Sequence, residues 1–409
     1  MSEKNHTDDT VTARRISRRR FLELAGAAAA GLLISSCVPR APEATSGEAG
    51  VDLTEAVPTT VPPTPTAEAE VAAPAVVPQP AAPTGLSSKV AIATARDYDR
   101  DMIYNTVRDM LDDLGGLGDV VRPGDRVALK TNLTGGLGND GPPGYSPMES
   151  FVTHPEVVRA LAALVRDAGA KEVFIVEAVY QWGSYTQWGY EEIAEDVGAT
   201  LIDLNRPDPY DDFVDAVVPG GGEMYDSYIF NPILQEVDAF MSVAKMKCHW
   251  VAGVTHSMKN LFGLVPARFY QLSPQHSHRS EFHGPSDETA GQRVPRIIVE
   301  LNKTRPVDFA LIDGILTTEG GEGPWIQGFG AITPGVLLAG KDPVATDAVA
   351  TACQGFDPAG PGMAAPYVRG LNHIALAAEA GLGTNRLDEI EVLGAQVNDV
   401  VTKFKPCLG

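Results

Sequence analysis

Short apolar segments alternate with amphipathic helical segments from residue 89 to near the end of the chain. In the first half, strands are predicted at Lys89 to Ala95, Arg126 to Leu129, Glu172 to Val176 and Thr200 to Leu204, and helices at Asp99 to Leu114 and Glu191 to Val197. Strands that alternate with helices indicate crossover connections between parallel strands. The pattern therefore predicts an α/β fold in which a largely parallel central sheet is flanked by helices.

The second half continues the same alternation. Strands are predicted at Ala239 to Ala244, Phe309 to Ile312 and Val336 to Ala339, and helices at Val294 to Asn302, Pro343 to Gln354 and Tyr367 to Ala380. Another helix is predicted to begin at Thr153-His154-Pro155-Glu156, which has the form of a capping box with proline at the first helical position. The stretch from Pro207 to Asn231 predicts an irregular or hairpin excursion, or a small second lobe.

The first 88 residues predict an export signal and a tether. Ser17-Arg18-Arg19-Arg20-Phe21-Leu22 resembles a twin-arginine signal, and the apolar run after it is too short to span a membrane. The run ends at Cys37 in a sequence that resembles a lipobox, so residues 1–37 are predicted to export the protein and leave it lipidated at Cys37. Residues 38–88 contain ten prolines and no aromatic residue, which is typical of a disordered linker, and residues 89–409 form the folded domain.

Charge is distributed unevenly along the chain. The protein has 53 acidic and 32 basic residues and a formal net charge of -21, which argues against nucleic acid as a partner, and contact with the membrane is expected only through Cys37. Between Lys245 and Ser280, however, five Lys or Arg and four His residues occur without a single Asp or Glu. This segment predicts a local positive pocket for a small anionic molecule.

Polar residues follow four of the predicted strands. These residues are Lys130 and Asn132, then Glu177, then Lys245, Lys247 and His249, and finally Asp313. Ligands of open parallel sheets bind outside the carboxyl ends of the strands. We therefore expect these side chains to surround one cleft at that edge.

Several motifs together resemble the bacterial and archaeal family catalogued as domain of unknown function 362. They are Leu129-Lys130-Thr131-Asn132, Thr153-His154-Pro155, Lys245-Met246-Lys247-Cys248-His249, Met258-Lys259-Asn260-Leu261-Phe262-Gly263, Ile312-Asp313-Gly314 and Gly340-Lys341-Asp342-Pro343. Many relatives carry cysteine modules for iron-sulfur clusters. This chain, whose cysteines are Cys37, Cys248, Cys353 and Cys407, has none, so no iron-sulfur cluster is expected. The resemblance implies no established reaction.

The candidate chemistry is that of amines and carboxylates. Crowded ammonium groups lower one another's pKa, so Lys245 or Lys259 is predicted to act as a general base or Schiff-base lysine, with Glu177 and Asp313 as acid and base partners. Thr255 is expected to cap a helix through Met258 to Leu261, whose amides would add an anion site. The predicted ligand-binding residues are Lys130, Asn132, Lys247, Thr255 and Asn260.

A divalent metal is the competing use of the histidine-rich segment. His249, with Glu319 and Asp347, would supply nitrogen and oxygen ligands, although no spacing matches a zinc motif. His276, His278 and His283 form either a further binding loop or an ordinary surface loop.

Two further features leave alternatives open. The aromatic residues between Tyr180 and Tyr190 either wall the cleft or pack a long loop on the sheet. Cys248 lies between Lys247 and His249, which favours a thiolate, and it is also a candidate for a disulfide with Cys407.

Taken together, the sequence predicts an exported, lipid-tethered α/β enzyme that acts on a small carboxylated or phosphorylated molecule. The sequence identifies neither the reaction nor a cofactor. A metal-dependent hydrolase or oxidoreductase and a non-catalytic solute-binding lipoprotein remain the alternatives.

Overall fold

A ten-stranded mixed sheet forms the centre of the computed structural model, which describes residues 88–274 and 278–408. Eight strands lie side by side in the order β12-β1-β11-β9-β7-β2-β3-β4, and β8 and β10 extend β7 and β9 as hairpins. A separate two-stranded sheet contains β5 and β6. The strands are β1 (Ser88–Thr94), β2 (Arg126–Lys130), β3 (Glu172–Glu177), β4 (Thr200–Asp203), β5 (Val214–Val217), β6 (Ser227–Phe230), β7 (Ala239–His249), β8 (Gly253–Thr255), β9 (Phe309–Glu319), β10 (Gly330–Ile332), β11 (Val336–Gly340) and β12 (Ile390–Gly394).

The predicted parallel sheet is confirmed for the half of the sheet that carries the candidate residues. Strands β9, β7, β2, β3 and β4 are parallel to one another, so their carboxyl ends meet at one edge. Strand β11 is antiparallel to both β9 and β1, which makes the whole sheet mixed.

Helices cover both faces of the sheet. They are α1 (Arg100–Asp113), α2 (Pro147–Ser150), α3 (Pro155–Asp167), α4 (Gly183–Gln187), α5 (Tyr190–Val197), α6 (Ile233–Glu236), α7 (Ser280–His283), α8 (Asp287–Thr304), α9 (Pro343–Cys353), α10 (His373–Glu379) and α11 (Val397–Val400), with 3₁₀ turns at Lys259–Leu264, Ala267–Phe269 and Leu387–Glu389. One core contains residues of α1, α3 and α5, and the other contains residues of α8, α9 and α10. Because both faces are covered, the central strands are apolar along most of their length.

The start of α3 differs from the predicted capping box. The N-cap residue is His154, whose Nδ1 accepts a hydrogen bond from the backbone N–H of Glu156, and Pro155 occupies the first helical position. Thr153 instead joins two strand ends, since its hydroxyl donates to Val243 O (2.9 Å) and accepts from Asn132 N (3.1 Å).

Two central strands are longer than their apolar runs. Strands β7 and β9 continue to His249 and Glu319 because Lys245 lies opposite Asp313 in the register and the two side chains neutralise each other. From the apolar pattern alone, these strands were predicted to end at Ala244 and Ile312.

The excursion after β4 is a hairpin. Its strands β5 and β6 are antiparallel, and Tyr228 and Phe230 are buried in the same core as the main sheet. The predicted second lobe is therefore part of the single α/β body.

The predicted signal, lipobox and linker lie outside the described residues. Within residues 88–274 and 278–408, no helix is both long and apolar enough to cross a membrane.

Candidate functional site

A cavity of about 530 Å³ opens at the carboxyl edge of the parallel strands. Its walls come from the ends of β2, β3 and β7, from the 3₁₀ turn at Lys259–Leu264 and from the loop that follows β9. The polar residues that line it are Lys130, Asn132, Glu177, Tyr180, His249, Lys259, Asn260, His278, Arg279, His283 and Glu322. Six of the twelve predicted site residues line the cavity: Lys130, Asn132, Glu177, His249, Lys259 and Asn260.

The floor of the cavity is a buried ion pair. Lys130 Nζ lies 2.9 Å from Glu177 Oε2, which also accepts from the backbone N–H of Leu133 at 3.0 Å. Gly263 lies directly over this pair, and a Cβ atom there would come within 2.0 Å of Glu177 Oε1 and 2.6 Å of Lys130 Nζ. Glycine is therefore required for the 3₁₀ turn to approach the two charges. Burial lowers the pKa of Lys130, and Glu177 opposes that effect.

An amide network extends from this floor. Asn260 Oδ1 accepts from Lys130 Nζ (3.2 Å) and from Asn132 Nδ2 (3.3 Å), while Asn260 Nδ2 donates to Lys130 O and to Ser242 Oγ, both at 3.0 Å. Asn132 Oδ1 in turn accepts from Lys247 Nζ at 2.8 Å. These residues, predicted to bind ligand, are thus brought together, but most of their donors and acceptors are already bonded to one another.

Lys247 lies behind the cavity wall. Its Nζ donates to Asn132 Oδ1 and to Phe151 O (2.7 Å), and burial lowers its pKa well below the usual value. It positions Asn132 rather than lining the cavity.

Lys245 and Asp313 form a second buried pair that also lies outside the cavity lining. Lys245 Nζ is 2.9 Å from Asp313 Oδ2 and 2.8 Å from Tyr98 Oη, and Asp313 also accepts from the Tyr98 hydroxyl and from His154 N. Both side chains are fully buried. Their positions fit a structural pair between β7 and β9 better than the predicted catalytic roles.

Lys259 differs from the other three lysines of the predicted site. Among the described residues, its Nζ has no hydrogen-bond acceptor and no carboxylate partner, and it lies over the Phe262 ring, 4.3 Å from the ring centroid. Burial, followed by the charges of Arg279 and Lys130 against that of Glu322, lowers the pKa of Lys259 to about 8.

Arg279 is a second cation in the cavity without a carboxylate partner among the residues that the structure describes. Its Nε donates to Val265 O at 2.8 Å, and its Nη2 is buried without a partner. Arg279 is a site residue that the sequence analysis did not select individually, although it belongs to the segment without acidic residues. That absence of carboxylates was the signal that could have identified it.

His249 is held as a neutral imidazole. Its Nδ1 accepts from the backbone N–H groups of Val251 and Ala252, both at 3.2 Å, so this nitrogen carries no proton. Burial lowers the pKa of His249 well below its usual value, and the neutral ring then carries its proton on Nε2, which faces Glu322 Oε1 at 3.9 Å. In this form Nε2 donates a hydrogen bond and has no lone pair for a metal.

The predicted metal grouping of His249, Glu319 and Asp347 is not formed. Glu319 pairs with Lys405 through Nζ (2.7 Å) and backbone N (2.8 Å), and Asp347 accepts from Ser257 N (2.9 Å) and Met258 N (3.0 Å). No group of three or more His, Cys, Asp or Glu residues in the described part of the chain is arranged to hold a metal ion.

Asp347 takes the capping role that the sequence suggested for Thr255. It satisfies the N–H groups at the start of the 3₁₀ turn, whereas Thr255 lies in β8 opposite Lys247 and its buried hydroxyl has no described partner. The turn has no side-chain cap of its own. Neither Thr255 nor Asp347 lines the cavity.

Aromatic residues enclose part of the cavity. Tyr180 and Trp325 lie in its walls, whereas Tyr185 and Tyr190 are fully buried between the loop and the sheet. Both alternatives for the aromatic loop are thus partly correct. Trp325 and Glu322 come from the loop after β9, and no local sequence pattern predicts that they reach the cavity.

Cys248, Cys353 and Cys407 are free and buried. Burial raises the pKa of Cys248 far above its usual value, which contradicts the predicted thiolate. The disulfide considered between Cys248 and Cys407 is not formed.

A larger cavity of about 800 Å³ lies near the start of β1 and the start of α9. Its three lysines are Lys341, paired with Asp119 at 2.6 Å, Lys89, 3.4 Å from Glu391, and Lys303, and its three carboxylates are those of Asp119, Asp342 and Glu391. Because these charges are matched, the smaller cavity is the better candidate for an anion site.

Comparison with known proteins gives a family but no chemistry. A family model described as "Domain of unknown function (DUF362)" matches residues 127–352. The thylakoid-associated protein sll1697 of Synechocystis sp. is 31% identical over 294 residues, which are 70% of this chain and 81% of that protein.

The similar solved structures are distant. The lactate racemase apoprotein from Thermoanaerobacterium thermosaccharolyticum has 13% identity and a TM-score of 0.34, with 61% of this chain and 54% of that chain covered. A structural-genomics protein from Thermotoga maritima has 11% identity and a TM-score of 0.29, with 55% and 52% covered. The chain thus spans about half the length of each of these structures.

Proposed function

This chain belongs to the DUF362 family, whose description assigns no activity, and we propose that the protein is an enzyme that binds a small carboxylated or phosphorylated molecule in the cavity above the Lys130–Glu177 pair. The observation that carries the proposal is that Lys259 and Arg279 line the same cavity and neither has a carboxylate partner among the described residues. An anionic group of the ligand would provide the missing partner.

The balance of charge in the cavity supports an anion rather than a cation. Three cationic side chains, those of Lys130, Lys259 and Arg279, line it with two carboxylates, those of Glu177 and Glu322. Glu177 is matched by Lys130, and Glu322 already accepts from Trp250 N (2.9 Å) and Trp325 Nε1 (3.2 Å). One net positive charge therefore remains, and Lys259 and Arg279 are the two lining cations that no carboxylate contacts directly among the described residues.

Burial increases what such an anion would gain. A charge-assisted hydrogen bond contributes about 1.5–3 kcal/mol, and more where water is excluded. Arg279 Nη2 is buried without a partner, so ligand binding would also remove the cost of an unsatisfied donor. His249 Nε2 would donate a further hydrogen bond from the opposite side.

The test measures binding of two non-identical anions to the full chain by isothermal titration calorimetry. Sulfate represents a phosphoryl group and malonate a carboxylate. Arg279→Met should weaken binding of the preferred anion by about tenfold or more, because about 1.4 kcal/mol corresponds to tenfold.

The matched control is Lys341→Met, which removes a half-buried lysine paired with Asp119 outside this cavity. It should leave the affinity unchanged. Equal affinities of wild type, Arg279→Met and Lys341→Met, or no binding of either anion, would refute the anion site.

Turnover separates an enzyme from a solute-binding protein. Native mass spectrometry of the purified full chain would identify a molecule that remains bound, and that molecule would then be incubated with the protein. Chemical conversion that is lost in Lys259→Met supports the enzyme, whereas recovery of the unaltered ligand favours the solute-binding alternative.

A further inference from the structure

The four lysines of the site fall into two chemical classes. Lys130, Lys245 and Lys247 each donate to at least two oxygen acceptors at 3.2 Å or less, whereas Lys259 Nζ has none among the described residues. An ammonium group carries three donors, and burying it without acceptors is unfavourable. The surroundings of Lys259 thus destabilise the ammonium form and make the neutral amine, which has a lone pair, easier to reach than in an exposed lysine.

That lone pair lies where a small molecule can reach it. Lys259 lines the cavity and is only partly buried, while Lys245 and Lys247 are closed off behind the wall. Its Nζ lies over the face of the Phe262 ring, a contact that stabilises the ammonium form, whereas burial and the charge of Arg279 in the same cavity oppose protonation and lower the pKa of Lys259.

We propose that Lys259 is a nucleophile that forms a Schiff base with a substrate that carries a carbonyl group close to an anionic group, as in a 2-oxo acid. This inference rests on the proposed anion site, in which Arg279 holds the anionic group. Arg279 fixes the substrate, and Lys259 reacts with its carbonyl carbon.

The reaction is a condensation without oxidation or reduction. Nζ attacks the carbonyl carbon, an N–C bond forms, and the carbonyl electron pair moves to the oxygen, which takes up a proton. The resulting carbinolamine loses its hydroxyl group as water, the nitrogen loses its remaining protons and the C=N bond forms. One amine and one carbonyl compound thus give one imine and one water.

His249 and Glu322 are placed to handle the protons of these steps. His249 Nε2 carries a proton and faces the cavity, and Glu322 Oε1 lies 3.9 Å from it. His249 Nε2 can donate a hydrogen bond to the carbonyl oxygen of the substrate while that oxygen becomes a hydroxyl group. Glu322 can accept a proton that the attacking nitrogen loses.

The ammonium form of Lys259 does not react, so the condensation should accelerate as pH rises through about 8, the pKa of this group. Below that pH most of Nζ is protonated, and above it most is the free amine.

The test traps the imine by reduction. The full chain is incubated with pyruvate and sodium cyanoborohydride, digested and analysed by peptide mass spectrometry. A reduced adduct on the peptide that contains Lys259, in clear excess over the other lysines, is the expected result. Acetone, which has the carbonyl but no carboxylate, should react more slowly by about tenfold or more, the contribution of one charge-assisted hydrogen bond.

Two variants complete the design. Lys259→Arg keeps a cation and should still bind malonate but form no adduct, and Lys341→Met should form the adduct at the wild-type rate. Arg279→Met should lose the preference for pyruvate over acetone.

The outcomes separate the two proposals. Malonate binding without a Lys259 adduct would refute the Schiff base and leave the anion site standing. An adduct spread evenly over the surface lysines, or an equal rate with acetone, would refute the inference as well. Absence of both malonate binding and adduct would refute both proposals.

Discussion

At the scale of single residues, the site separates charges that hold the fold from charges that are available to a ligand. Residue type and position after a strand were enough to predict that Lys130, Asn132 and Glu177 converge. They could not distinguish Lys245 from Lys259, because both are lysines in the same signature. Only the presence or absence of partners in three dimensions makes that distinction.

The Lys245–Asp313 pair gives the first prediction. Lys245→Met leaves the Asp313 carboxylate buried without its cation, and we expect the free energy of unfolding to fall by about 3–5 kcal/mol, measured by urea denaturation. Lys341→Met breaks an exposed pair and should cost at most about 1 kcal/mol. A stable Lys245→Met protein that has lost malonate binding would instead restore Lys245 to the ligand site.

The tautomer of His249 gives the second prediction. We expect its Nε2 to carry the proton from pH 6 upward, in NMR spectra that correlate the ring nitrogens with their carbon-bound protons, because Nδ1 accepts from Val251 N and Ala252 N. A ring protonated on Nδ1, or a shift of its signals on addition of Zn²⁺, would contradict this assignment.

Substitutions at His249 test the same hydrogen bonds by stability. Asparagine places Oδ1 near the position of Nδ1 and should keep the unfolding free energy close to that of wild type. Glutamine places its polar atoms further out and leaves two backbone donors unpaired, which should cost about 1–3 kcal/mol. Equal stability of the two variants would show that these contacts contribute little.

At the scale of elements, the alternation of strands and helices was predictable, while the ends of elements were not. Strands β7 and β9 run past their apolar segments because two opposite charges meet across the register. The helix predicted at Tyr367 to Ala380 is shorter, with α10 spanning His373–Glu379 and Asn372 as its N-cap. Long-range partners decide such boundaries, and a local pattern contains no information about them.

Helix α8 shows how an apparent defect in a helix can serve packing. Pro295 has no N–H, so the carbonyl of Gly291 four residues earlier is free to accept from Leu371 N at 3.1 Å. A Cβ on Gly291 would lie 1.8 Å from Arg369 O. The two residues together let the segment before α10 dock directly on the helix backbone.

This docking gives the third prediction. Gly291→Ala places a methyl group against backbone that cannot yield, so the free energy of unfolding should fall by about 1–3 kcal/mol or more despite the better helix propensity of alanine. Gly118→Ala, where the added Cβ meets nothing within 4 Å, should change stability by less than about 0.5 kcal/mol. Chemical denaturation of both variants decides the point, and a stabilised Gly291→Ala protein would contradict the role assigned to the close approach.

At the scale of the whole molecule, the sequence predicted the α/β class and the edge of the sheet that carries the cavity. It did not predict the antiparallel insertion of β11 between β9 and β1 or the order of strands, because sequence spacing does not fix which strands become neighbours. The sequence also did not predict that the loop after β9 lines the cavity. That loop reaches the cavity only because it folds back over the ends of other strands.

Location gives the fourth prediction, which depends on the sequence alone. We propose that the protein is exported by the twin-arginine route and anchored at Cys37. Replacement of Arg18 and Arg19 by lysine should retain the protein inside the cell, and Cys37→Ala should release exported protein from the membrane fraction, as measured by cell fractionation and immunoblotting. Unchanged distribution of both variants would contradict the proposal.

The two outermost strands of the sheet affect the tendency of the protein to aggregate at high concentration. Strand β4 has four residues and β12 has five, and they carry the acidic residues Asp203 and Glu391. Such short, charged borders offer few unpaired backbone groups to a second copy and therefore resist strand addition, the first step of β-type aggregation. With a formal net charge of -21, copies also repel one another. At high concentration, copies of the protein are therefore expected not to associate through the edges of the sheet.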